Sequence, residues 1–217
     1  MKHLNADRQA IDRVLRWLDF APVRPTQWDL WEKYADWLKE EAIVAGGLGP
    51  HESDRIWPRH LADSLVFACG WTKTKRPSRL IDVGSGVGLP GIPLAILWPE
   101  THVTLLDRAG KRVDLARRAV RRVGLSNVEV RQGDALSEPP HWEGAVFRAV
   151  FSPERACEVG QALLEAAGTA VIGLRGGDYR ADPAGTLVSD RTLRVVEVPA
   201  EVLDGRASLL IMGPSEN

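Results

Sequence analysis

Apolar residues recur at helical spacing at the start of the chain and at strand spacing later. Over 6–19, Ile11, Leu15 and Leu18 lie on one stripe with Val14 beside them, which predicts an amphipathic helix ended by Pro22 and Pro25. A second helix is predicted over 26–41, with Thr26 as its N-cap and Leu30, Tyr34, Trp37 and Leu38 as its apolar face. The glycine-rich stretch 45–50 reads as a loop. A third helix is expected from Trp57, with Pro58 in its first turn, to about Cys69. A short basic linker, 72–78, follows. From Arg79 the period changes. Strands are predicted at 80–83, 103–106, 128–130, 145–150 and 170–174, with helices after the first glycine loop, over 111–123 and over 154–167. Two further strands, 192–198 and 207–212, have no helix between them and should pair antiparallel. Strands alternating with helices imply an α/β fold: a Rossmann-like, seven-stranded, mostly parallel sheet with an antiparallel last strand. Residues 1–71 then form a helical extension packed on a core of 72–217, one structural unit overall.

Composition narrows the function classes. The chain has 217 residues, 44% hydrophobic and 26% charged, as in an ordinary globular protein. A formal net charge of −1 argues against nucleic-acid binding driven by overall charge, and leaves room for a local basic face. The two cysteines, Cys69 and Cys157, form no metal-ligand spacing and are too few for a disulfide framework. No metal is expected. The charged N-terminus does not read as a signal peptide, and the longest uncharged run, 83–99, is short and holds three prolines. These features suggest a cytoplasmic protein with no membrane span, expected to be monomeric.

The segment from Asp82 to Gly91 (DVGSGVGLPG) lies between a predicted strand and helix, where open α/β sheets bind ligands. Its glycines at 84, 86 and 88 give G-x-G-x-G. In the dinucleotide fingerprint G-x-G-x-x-G, the last glycine would fall on Leu89. That departure disfavours a nicotinamide cofactor and suits S-adenosylmethionine, which has no pyrophosphate to seat. Asp82 is placed for the cofactor's cationic amino-acid end. Asp107, ending the second strand, can accept both ribose hydroxyls. Asp134, after the third, can take the adenine amino group. A solvated strand end is the alternative for Asp107 and a turn aspartate for Asp134; the glycine loop and the two acidic strand ends, in this order, point together to the cofactor.

The run from Asp82 to Ile96, with its Gly88-Leu-Pro-Gly-Ile-Pro93 extension, resembles the glycine loop of the small-subunit (16S) ribosomal RNA guanine-N7 methyltransferases, the glucose-inhibited division protein B family. The block from Ile56 to Ser64 resembles that family's W-x-R-H-x-x-D-S element, and Leu105 to Val113 its L-L-D-S-x-x-K-R element. The likeness covers about 28–213. It implies a class I S-adenosylmethionine-dependent methyltransferase fold, S-adenosylmethionine as donor, and a guanine in the 530 loop of 16S ribosomal RNA as acceptor. The small ribosomal subunit would be the partner. Carried over by position, cofactor contacts fall on Gly84, Leu89, Asp134, Ala135 and Arg148. Ser85, Gly86 and Gly88 join them as the rest of the loop, and Asp82 and Asp107 from the chemistry above. Four features depart from the family, the first being the stretch from Glu41 to Pro50, where members often have N-x-x-x-N-L-T. Phe147 replaces the serine before Arg148, Arg175 replaces a lysine, and the chain ends Met212-Gly-Pro-Ser-Glu-Asn217 where many members have a basic tail.

Guanine N7 has a lone pair and no proton, so its methylation calls for positioning rather than a general base. Arg148, Arg175 and Arg206 are candidates to hold guanine O6 or phosphate and leave N7 free. His60 and Asp63, one helical turn apart, either line the pocket or hydrogen-bond structurally. Between Arg108 and Arg131 lie eight basic and two acidic residues; Arg117, Arg118, Arg121 and Arg122 there offer an RNA footprint or a solvated helix face. Most of the eight tryptophans should be packing anchors, with Trp142 the first candidate for an exposed stacking surface. A small-molecule methyltransferase and a catalytically silent ribosome-binding protein remain alternatives.

Overall fold

The structure, a computed structural model, describes residues 2–20, 22–71, 75–174, 187–188 and 191–214, the side chains of 2–7, 187 and 188 excepted. One sheet organises them, in the order β3-β2-β1-β4-β5-β8-β7-β6. Its strands are β1 (Arg79–Val83), β2 (His102–Asp107), β3 (Val128–Gln132), β4 (Trp142–Phe147), β5 (Leu164–Leu174), β6 (Leu187–Val188), β7 (Arg191–Val198) and β8 (Ala207–Pro214). The first five pair in parallel, while β8 runs antiparallel to both β5 and β7. The seven strands read from the sequence are thus present, joined by the two-residue β6 in a short antiparallel hairpin with β7. β1 and β2 are buried on both faces after their first residue, which is why their sequences are nearly unbroken apolar runs.

Seven helices accompany the sheet among the described residues: α1 (Lys2–Trp17), α2 (Pro25–Trp37), α3 (Asp63–Leu65), α4 (Gly91–Leu97), α5 (Gly110–Val123), α6 (Pro153–Leu163) and α7 (Ala200–Leu203). α2 begins at Pro25, with Arg24 at the cap position, so Thr26 is inside the helix and not its cap. Pro25 has no N–H to lose there, and its fixed φ starts the helix one residue early. The expected third helix is a chain of short turns over 53–70. A 3₁₀ turn (Ser53–Arg55), a π turn (Ile56–Ala62), α3 and a second 3₁₀ turn (Val66–Gly70) follow one another. The helix predicted to reach 167 stops at Leu163, where β5 begins.

Alternating strand residues feed two cores. Leu80, Val103, Leu105, Val146 and Val171 pack in one cluster with Ile11, Trp31, Tyr34, Trp37 and helices α4 and α5. Ile81, Leu106, Ala145, Phe147 and Ile172 pack on the other face with Cys157, Val159 and Leu163 of α6. The N-terminal helices therefore share a core with one sheet face. Trp142 belongs to the second cluster, buried with Arg131 over its ring at 5.4 Å, so it offers no stacking surface.

Candidate active site

The strand order reverses between β1 and β4, and the carboxyl ends of the parallel strands there support the loops that carry most of the predicted residues. Gly84 follows β1 with φ +71°, and its N–H donates to the Leu106 carbonyl at 2.8 Å. A Cβ at this position would lie 2.4 Å from Val150 Cγ2, so only glycine lets the loop after β4 close over it. Gly86, at φ +58°, donates its N–H to Asp107 Oδ2 at 3.0 Å. A Cβ there would meet nothing within 4 Å. Ser85, Gly88 and Leu89 are buried and shape the turn: the Gly88 and Leu89 N–H groups both donate to the Ser85 carbonyl.

Asp107 and Asp134 come together at one cavity of about 360 Å³. Asp107 is buried, accepting from Gly86 N at one oxygen and from Ala109 N at 2.9 Å at the other. Each carboxylate oxygen has a second lone pair. Asp134 accepts from Leu136 N at 3.0 Å and faces Arg108 at 3.7 Å. Gly84 and Ala135 line the same cavity. Sequence reasoning missed Arg112, Leu136, Val150 and Phe151, which also line it. Leu136 and Phe151 are 56% and 39% exposed, unusual for large apolar side chains, and give the cavity an apolar lip. Their places just beyond the ends of β3 and β4 were the available signal.

Asp82 behaves differently. It has no exposed surface, and its Oδ2 accepts from the Gly91 N–H at 2.8 Å, bracing the turn into α4. Its other oxygen, Oδ1, is buried and has no hydrogen-bond partner among the described residues. Burial pushes its pKa up to about 7, against the opposing pull of the Gly91 N–H and Arg148. Burial, then the nearby Asp82, also raises the Tyr34 hydroxyl, which donates to the Val87 carbonyl at 3.0 Å.

Arg148 sits just past β4, before Ala149 at φ +56°. Its guanidinium bonds Asp63 at 2.9 Å, Ser64 Oγ at 3.1 Å and the Arg59 carbonyl at 3.2 Å. The element from Ile56 to Ser64 is thus tied to the strand end by one arginine. His60 bonds Glu52 at 2.9 Å; burial, then Arg148, lowers its pKa. Its contacts are structural. Arg148 and Arg206 line a second cavity, about 490 Å³, rather than the one around Asp107. Residues 149–151 and Gly173 border a cleft that adjoins both. Arg175 lies outside the described residues. On α5, Arg117, Arg118 and Arg122 pair with Asp114, Glu41 and Glu40, so most of the predicted basic face is internally neutralised. Among the described residues no group of three metal-ligating side chains converges, and no helix is long and apolar enough to cross a membrane.

Comparisons with known proteins bear on the family and the fold. Proteins named ribosomal RNA small subunit methyltransferase G are similar in sequence. The one from Yersinia pseudotuberculosis is 38% identical over 160 residues, 71% of this chain and 74% of that protein. The one from Mycobacterium marinum is 37% identical over 145 residues, 64% of this chain and 62% of the relative. For Mycobacterium leprae the figures are 44% over 104 residues, 48% and 41%. The matched region thus spans less than two thirds of the mycobacterial relatives. Among solved structures, a putative O-methyltransferase from Klebsiella pneumoniae superposes with TM-score 0.54 at 13% identity, covering 95% of this chain and 96% of that one. An MtNAS variant in complex with S-adenosylmethionine gives 0.57 at 15%, covering 86% and 72%. These two share the fold of this chain. The family model for rRNA small subunit methyltransferase G matches residues 27–187, a span that includes the glycine loop, Asp107, Asp134 and Arg148, and the chain belongs to that family.

Proposed function

We propose that this chain transfers a methyl group from S-adenosylmethionine to N7 of a guanine in 16S ribosomal RNA, acting on the small ribosomal subunit in the cytoplasm. The observation that carries the reading is the cavity at the sheet's reversal point. Two carboxylates rim it, and the glycine loop beside it leaves space where a side chain would stand at Gly86. That geometry fits the cofactor. Asp107 retains acceptor capacity for ribose hydroxyls, Asp134 and the Ala135–Leu136 backbone can read an adenine edge, and Leu136 and Phe151 can cover the ring. When bound, S-adenosylmethionine supplies an electrophilic methyl group on a sulfonium. The chain's own residues then have a positioning task, since no side chain is needed to take a proton from N7. Arg148 anchors the loop over Gly84 by gripping Asp63 and Ser64. Asp82 supports the cofactor loop from beneath through Gly91. Holding two reactants in line contributes up to about 7–11 kcal/mol to such a reaction.

The test is transfer of labelled methyl from S-adenosylmethionine to undermethylated small subunits, naked ribosomal RNA and a metabolite extract in parallel. Label at guanine N7 in 16S RNA is the expected result. Label in a metabolite alone, or cofactor binding with no transfer to RNA, would overturn the reading.

A further inference from the structure

The second cavity has a composition that the cofactor does not require. Its rim carries Arg55, Arg59, Arg148 and Arg206. Two aspartates, Asp63 and Asp204, also line it, but each already has a cation: Arg148 at 2.9 Å and Arg13 at 2.6 Å. Arg55 and Arg59 share a single carboxylate, Glu52, at 3.4 and 4.0 Å, and that carboxylate also serves His60. Both arginine side chains are more than half exposed, where such ion pairs are worth little and an incoming anion can compete. Arg206 is exposed and has no ion pair among the described residues. Beneath this rim the walls are apolar, with Pro58, Phe67, Leu203 and Leu209. Cationic groups around an apolar floor match a nucleotide: phosphates at the edge, a base inside. A cavity of about 490 Å³ lies in the size range of small-ligand sites.

Position supports the same occupant. The cavity and the cofactor cavity both border the cleft at residues 149–154: Ala149 and Gly173 line the first, Val150 and Phe151 the second. The positive φ of Ala149 turns the chain between the two compartments. Resting on the function proposed above, we infer that this cavity receives the acceptor nucleotide of single-stranded RNA. Arg55, Arg59 and Arg206 hold the phosphates on either side of the base. Arg148, engaged with Asp63 and Ser64, forms the wall. The RNA footprint expected on α5 is thereby relocated, since Arg117, Arg118 and Arg122 there each have a carboxylate of their own, whereas Arg55 and Arg59 share one and Arg206 has none among the described residues.

The experiment uses the full chain loaded with S-adenosylmethionine. The probe is a fluorescent single-stranded RNA of about ten nucleotides with one central guanosine. Binding is followed over a salt series for the wild type, for Arg55→Gln with Arg206→Gln, and for Arg117→Gln with Arg118→Gln on α5. The cavity pair is expected to weaken RNA binding by about tenfold or more, and to lower the salt slope by about 1.4, roughly 0.7 for each phosphate no longer neutralised. Cofactor affinity should stay within about twofold, and the α5 pair should bind as wild type. Equal binding by the cavity pair, weakening in the α5 pair alone, or no binding by the wild type would overturn the inference. Methyl transfer to small subunits, run alongside, separates the two conclusions. RNA binding that depends on Arg55 and Arg206 without transfer would uphold the nucleotide site and sink the proposed reaction.

Discussion

Two aspartates at the carboxyl ends of neighbouring strands show how environment divides one residue type between two tasks. Asp107 borders a cavity, whereas Asp82, a strand away, is sealed and serves a backbone N–H. The folded state holds a proton on Asp82 up to about pH 7, while an unfolded aspartate releases it near 3.8. Its contribution to stability is therefore full below the unfolded value and is lost as pH rises towards 7. Asp82→Asn keeps an acceptor for Gly91 and removes the charge. Denaturant midpoints of the variant should gain on wild type between about pH 4 and 7, and the gap should level off above. Parallel curves would refute this. The glycines divide in the same way. Gly84→Ala forces a Cβ against Val150 as well as an unfavourable φ, so it should destabilise the chain by about 2–4 kcal/mol in thermal unfolding. Gly86→Ala meets no protein atom and should cost only about 1–2 kcal/mol. Its main effect should be on cofactor affinity in calorimetry, because the new methyl group enters open space in the loop proposed to hold the cofactor.

Among the elements, the segment 53–70 and the end of β4 act as a pair. The first of the three blocks that carry the family resemblance is tied by one guanidinium to the end of β4, 84 residues further along the chain. Arg148 reaches Asp63, Ser64 and the Arg59 carbonyl, while the turns around Ile56–Ala62 set those groups in line. Asp63→Asn should lower unfolding stability by about 2 kcal/mol and reduce kcat for RNA more than cofactor affinity. Arg148→Lys should not restore the arrangement, since an ammonium lacks the planar fork that spans three acceptors. Turnover and calorimetry on both variants decide the point. The irregular turns of 53–70 were not legible in the sequence. The apolar spacing of Trp57, Leu61 and Leu65 is compatible with one regular helix, and packing against α1 and the sheet selects the wider and tighter turns. By contrast α5, with its apolar stripe and Gly124 in the left-handed conformation after it, was readable almost to the residue.

At the scale of the whole molecule, the N-terminal helices and one sheet face close a single core around Trp31, Tyr34 and Trp37. We expect the two regions to unfold as one unit. Trp31→Ala empties a site with no exposed surface and should cost about 3–5 kcal/mol. Fluorescence and circular dichroism should still report coincident transitions, whereas two separate transitions would mark the helices as an independent domain. The alternating pattern of strands and helices, the antiparallel close and the glycine loop with its acidic strand ends were determined by the sequence alone. Periodicity, glycine spacing and the short-range order of elements are local properties of a chain. Which carboxylate faces a cavity and which is entombed was decided only in three dimensions. So was the division of the arginines, with Arg118 and Arg122 of α5 set against Glu41 and Glu40, Arg55 sharing Glu52 with Arg59, and Arg55 and Arg206 at a cavity rim. Burial and charge pairing depend on residues brought together from distant parts of the chain, and that meeting is made by the packed sheet rather than by spacing.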